Sequence, residues 1–127
     1  MINWTGVFPA VTTKLTEAGA VDIEATKASI DRLIENGVSG VIVLPMLGEN
    51  ASMSMEEREA IIRRAVEVAN GRVPVLSGLA EVTLENAKAN AALYKSFGAQ
   101  AYGVPEPWLQ DRYSRDRGVV QRHCQRF

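Results

Sequence analysis

The chain has 127 residues, 46% apolar and 23% charged, with a net charge of −1 at pH 7. This is the balance of one small globular domain, and it excludes a mainly disordered or collagen-like chain. So small a net charge gives no reason to expect nucleic acid or an anionic membrane as partner.

No basic region followed by an apolar stretch opens the chain at Met1-Ile2-Asn3-Trp4-Thr5-Gly6, so a cytoplasmic location is expected. The first apolar run is Val7-Phe8-Pro9-Ala10-Val11, followed by the loop Thr12-Thr13-Lys14-Leu15. An amine at a strand end can be desolvated into a nucleophile, but Lys14 reads as a solvated loop lysine. Asp22 is placed to cap a helix whose apolar positions Ile23, Ile30, Leu33 and Ile34 fall mostly on one face. Asn36-Gly37 stops it, since glycine enters the left-handed region without steric penalty.

The second run is Val41-Ile42-Val43-Leu44. The apolar stretch around it, Gly40 to Leu47, is far too short to span a bilayer. Its loop runs Pro45-Met46-Leu47-Gly48-Glu49-Asn50-Ala51-Ser52-Met53. Gly48 permits a tight turn or a close backbone approach, and N–H groups around it can hold a carboxylate. A plainer reading has Glu49 and Asn50 bonding loop backbone and closing the top of the sheet. Ser54-Met55-Glu56-Glu57 is a capping box. The stripe Ile61, Ile62, Ala65, Val66, Ala69 follows, and Asn70-Gly71 ends the helix.

The third run, Val73-Pro74-Val75-Leu76, leads into the loop Ser77-Gly78-Leu79-Ala80-Glu81. That loop shows no nucleophile–base pair and no phosphate-binding glycine pattern. Thr83 caps a third helix with Leu84, Ala87, Ala91, Tyr94 and Phe97 inward and Gly98 as its stop. Runs of successive apolar residues, recurring at roughly 30-residue spacing, predict parallel strands covered on both faces and joined by helices. A doubly wound open sheet and a closed barrel both satisfy that pattern.

A further strand is due near Ala101, but Pro105 and Pro107 argue against a central strand there. The tail carries Arg112, Arg115, Arg117, Arg122 and Arg126, interleaved with Asp111 and Asp116, so a nucleic-acid arm is not expected. His123 and Cys124 are neighbours without an orienting acid and are read as incidental. One cysteine supplies neither an internal disulfide nor a zinc cluster.

Three segments carry a resemblance. Gly6-Val7-Phe8-Pro9-Ala10-Val11-Thr12-Thr13, Gly40 to Asn50, and Gly71-Arg72-Val73-Pro74-Val75-Leu76-Ser77-Gly78 resemble the first three strands of the dihydrodipicolinate synthase and N-acetylneuraminate lyase family (DapA-like). They stand in the family's order and spacing across about residues 3–100. The resemblance implies an α/β fold, the first three βα units of a (β/α)₈ TIM barrel, with a partial-barrel domain over 1–100. It implies a class I aldolase or lyase acting on pyruvate or another 2-oxo acid through a lysine Schiff base, with no metal and no cofactor. The loop after the second strand receives the substrate carboxylate, which assigns substrate binding to Met46, Leu47 and Gly48. Met46 and Leu47 stand where the family has threonines, so only the N–H groups of Leu47 and Gly48 are expected to serve. Glu49 matches a glutamate of mainly structural role. A sugar-acid dehydratase or aldolase fits as well as dihydrodipicolinate chemistry.

The family's Schiff-base lysine and its proton-relaying tyrosine lie on later strands, and nothing in residues 101–127 matches them. Barrels of this kind need roughly 250 residues. The tail is therefore expected to be irregular, poorly ordered and derived from a shifted reading frame. One nucleotide forward, permitted codons give a Phe-Pro strand end, a loop and a helix rich in Glu, Ala, Trp and Tyr. A partial barrel without its lysine is expected to be inactive, the alternative being a non-catalytic half-barrel binding or interaction module. Family members commonly form homotetramers, and exposed strand edges make self-association of the fragment an expectation.

Overall fold

The computed structural model describes residues 2–103. Over them helices and strands alternate: α1 (Ile23–Glu35), β1 (Val41–Val43), α2 (Met55–Ala69), β2 (Val75–Gly78), α3 (Leu84–Ser96) and β3 (Ala101–Gly103). The irregular tail expected over 101–127 is regular at its start, where Ala101–Gly103 form a strand; the expectations for the rest of the tail, for its arginines and for His123 and Cys124 lie outside the described residues.

Each helix begins where its cap stands. Asp22 accepts from the Ala25 N–H at 2.9 Å, and Thr83 accepts from the Asn86 N–H at 3.2 Å. Ser54 and Glu57 complete the capping box reciprocally, at 3.2 and 2.9 Å. Such a cap contributes about 1 kcal/mol by satisfying donors that the first turn leaves free. The helices end at Asn36-Gly37, at Asn70-Gly71 and before Gly98, with Gly37, Asn70, Gly71 and Gly98 all at positive φ.

The strands form one parallel sheet in the order β1-β2-β3. Val41 pairs with Val75, and Leu76 with Ala101. All four residues of β2 are buried, as a strand covered on both faces requires. Helices α1 and α2 pack on each other, and α2 packs on β1 and β2. Ile30, Val41, Ile61, Ile62, Val75 and Tyr94 lie in the resulting core, each at most 2% exposed. Full burial of one such isoleucine stabilises by about 1.5–3 kcal/mol.

Four local expectations are corrected. The run at Val7–Val11 makes one parallel bridge, Ala10 with Ile42, and no continuous strand. Pro9 has no N–H to give, although its carbonyl accepts from Ile42 at 3.0 Å. The third strand starts at Val75 and takes in Ser77 and Gly78, which the sequence suggested as loop. Pro74 contributes only its carbonyl, to the Val41 N–H at 3.0 Å. A strand does form over Ala101–Gly103, where the proline density argued against one; in sequence the prolines fall after its last residue. On α3, Leu84 is 39% exposed instead of facing inward, while Ala91, Tyr94 and Phe97 are buried.

Candidate functional site

The loops after Val11, β1 and β2 come together at the ends where the strands finish, which is where parallel α/β folds carry their chemistry. The loop after β1 is the most built of the three. Leu44 leaves the strand at φ 52°, an uncommon conformation for a leucine. Met46–Gly48 then form one 3₁₀ turn, Glu49 reverses direction at φ 59°, and Asn50–Ser52 form a second 3₁₀ turn. Inside the first turn the Gly48 N–H donates to Pro45 O at 2.8 Å, and the Glu49 N–H to Met46 O at 3.1 Å.

These bonds divide the three expected substrate-binding residues. Met46 and Leu47 are exposed, whereas Gly48 is buried. The Gly48 N–H is engaged by Pro45, so only one of the two expected donors, that of Leu47, is without a backbone acceptor among the described residues. Gly48 is needed for close approach: a Cβ there would meet Pro45 Cδ at 2.7 Å and Val11 O at 3.2 Å.

Two side chains tie this loop to its surroundings. Thr13 Oγ1 donates to Gly48 O at 2.8 Å from the neighbouring loop. Asn50 is 1% exposed, and its Nδ2 donates to Leu44 O at 2.8 Å and to Gly78 O at 3.0 Å. One amide thereby joins the ends of β1 and β2, as the plainer reading of Asn50 anticipated. Its Oδ1 is buried with no partner among the described residues. Gly78 is hemmed in as well, since a Cβ there would fall inside contact distance of the Leu44 carbonyl. Glu49 is exposed and acts through its backbone: its carbonyl accepts from the Ser52 N–H at 2.9 Å.

The third loop holds a polar cluster that no sequence signal marked. Glu81 Oε1 accepts from Arg58 Nη1 at 3.0 Å and from Asn90 Nδ2 at 2.6 Å, and Arg58 Nη1 also reaches the Tyr94 hydroxyl at 3.2 Å. The residues are 23 and 36 positions from Arg58 in sequence for Glu81 and Tyr94, so only the fold brings them together.

Lys14 is exposed, its Nζ donating to Thr12 Oγ1 at 3.1 Å. The other lysines, Lys27, Lys88 and Lys95, lie on α1 and α3. Thus no lysine of the chain stands on a strand of the described sheet. Among the described residues no group of three or more His, Cys, Asp or Glu is placed to hold a metal ion, and no helix is long and apolar enough to cross a membrane.

Comparison with known proteins gives this geometry its setting. A family model described as the dihydrodipicolinate synthetase family matches residues 3–117. The chain is similar to the 4-hydroxy-tetrahydrodipicolinate synthase of Methanoculleus marisnigri, with 34% identity over 105 residues, covering 81% of this chain and 36% of the relative. It is 40% identical over 96 residues to a DapA-like lyase of Rhizobium meliloti, covering 76% of this chain and 32% of the relative. Among solved structures it is similar to YagE, a prophage protein of the dihydrodipicolinic acid synthase family from E. coli K12 in complex with pyruvate. There the TM-score is 0.72 at 36% identity, covering 80% of this chain and 34% of that one. The chain spans about a third of the length of the curated relatives it matches.

Proposed function

We infer the function from one premise: the chain belongs to the dihydrodipicolinate synthetase family. Its fold is accordingly that of the first βα units of a (β/α)₈ barrel. We propose that it is part of a class I aldolase or lyase that acts on pyruvate or another 2-oxo acid. The turn Met46–Gly48 is its carboxylate-receiving element. The supporting observation is the position of this turn at the finishing end of β1, with the Leu47 N–H left without a backbone acceptor. YagE, the relative complexed with pyruvate, supports the substrate class.

The Schiff-base step requires an amine beside the substrate ketone. Lys14 is the one lysine at the end of the sheet that carries the loops, and it is an exposed lysine paired with Thr12. The chain alone is therefore proposed to hold a 2-oxo acid without turning it over, which is also what the non-catalytic binding-module reading requires. The test is incubation with pyruvate under borohydride, followed by intact mass and peptide mapping. No covalent adduct is expected. A stable adduct on a lysine overturns the proposed inactivity and identifies the nucleophile.

For residues 101–127 we propose an origin in a shifted reading frame. Resequencing of the source DNA across the codons for residues 100–127 is expected to show one base missing or added. An uninterrupted native frame in independent isolates overturns the proposal.

A further inference from the structure

We propose that Thr13 is a positioning residue for the carboxylate-receiving turn, fixing from the neighbouring loop the carbonyl at the turn's exit. The proposal rests on the reading of Met46–Gly48 as the carboxylate site.

Thr13 is held on both sides by bonds that do not involve the loop. On one side the Val11 N–H donates to Ile42 O at 2.8 Å and fixes the chain to β1. On the other, the Lys14 N–H donates to Thr26 Oγ1 at 2.9 Å, and the Lys14 carbonyl accepts from the Asp22 N–H at 2.8 Å, both at the start of α1. The part-buried Thr13 hydroxyl is thus a donor whose location the sheet and a helix cap determine, and it meets Gly48 O at 2.8 Å.

Gly48 is the exit of the turn. Its carbonyl is set by Thr13, its N–H by Pro45 O, and the space a Cβ would need is filled by the Pro45 ring and Val11 O. The entry is set by Asn50, whose amide holds Leu44 O. Between the two fixed ends the Leu47 peptide has little freedom left. A single N–H donor holds an anion usefully only if it need not be ordered at the moment of binding. Met46 and Leu47 have no hydroxyl to add, so this turn depends on preorganisation more than a threonine-bearing loop would. Thr13 never touches the ligand; it acts through the Gly48 carbonyl.

The test is a pyruvate titration of the full chain, followed by the amide resonances of Leu47 and Gly48, for the unaltered protein, Thr13→Val and Thr13→Ser. Melting of each variant is recorded alongside. Thr13→Val is expected to weaken pyruvate binding about tenfold, the ratio that one hydrogen bond of ordinary strength makes in an equilibrium constant. Thr13→Ser is expected to restore it, with all three chains melting alike. Equal binding by Thr13→Val and the unaltered chain overturns the role of Thr13 and leaves the carboxylate site standing. Equal weakness of the Val and Ser variants overturns it too, because the hydroxyl is then not what matters. No pyruvate response in the unaltered chain overturns the carboxylate site and the proposal with it. Should Thr13→Val melt early, the Ser variant decides: that chain must bind pyruvate as the unaltered chain does.

Discussion

Arg58 Nη1 lies 3.0 Å from Glu81 Oε1, and the two side chains are only 13% and 14% exposed. The pair fastens the first turns of α2 to the loop after β2. Asn90 and Tyr94 of α3 share in it, so three successive elements meet on one guanidinium and one carboxylate.

Removing one partner strands the other in a poorly solvated place. Glu81→Ala is expected to destabilise by about 2 kcal/mol, below the range for fully buried pairs because some solvent reaches this one. Replacing both, as Arg58→Met with Glu81→Leu, is expected to lie closer to the unaltered chain than either single change. A double-mutant cycle in urea measures the coupling, and strict additivity would contradict the pair's role.

Asn50 is a harder test of the loop. Asn50→Asp removes both amide donors and sets a carboxylate against the Leu44 and Gly78 carbonyl oxygens in a site that is 1% exposed. A loss of at least about 3 kcal/mol is expected, more than for Asn50→Ala, which leaves the carbonyls without a donor but adds no charge. Denaturant unfolding of the two variants gives the order, and the reverse order would show that the amide is not a donor here.

Gly78→Ala tests the approach of β2 to Leu44. The added methyl would overlap the Leu44 carbonyl oxygen and crowd Pro45 Cα at 2.9 Å, both of them backbone that cannot swing aside. Destabilisation of about 3 kcal/mol is expected, together with altered amide shifts from Leu44 to Gly48. Gly71→Ala is the control: its Cβ would meet nothing within 4 Å, and only the positive φ of 73° opposes it. About 1 kcal/mol is expected there.

Acid dependence at the start of α2 follows from Glu56. Hydrogen bonds from its own backbone N–H, and then from the Ser54 side chain, hold its carboxyl below the usual value. A lowered folded-state pKa gives stability that is present above the unfolded-state value and is lost as pH falls through the folded one. Unfolding midpoints are therefore expected to drop as the pH falls below the ordinary glutamate value, and Glu56→Gln is expected to flatten part of that drop. Ser54→Ala removes the cap as well, at about 1 kcal/mol at neutral pH.

Helix limits were legible because they are local. Asp22, Ser54 and Thr83 each cap with an N–H three residues away, and the Asn-Gly stops need only their own φ. Strand limits depend on partners far along the chain. Near Val73 only the missing N–H of Pro74 hints that pairing starts at Val75, and nothing near Ala101 announces that three residues suffice to pair with Leu76–Gly78. At the site, the position of the Met46–Gly48 loop could be read from the sequence. The hold of Thr13 on Gly48 and the Arg58–Glu81 pair could not, because each joins residues far apart in sequence with no pattern in common.

The strands stand in the sheet in the order in which they occur in the chain, from the segment at Ala10 through β1 and β2 to β3. Every pairing therefore joins consecutive units, and no strand waits for one synthesised much later. During translation each unit can dock on the one before it as it leaves the ribosome, closing one helix-containing connection at a time. The described part of the chain thus suits vectorial assembly, each strand needing only the unit made just before it.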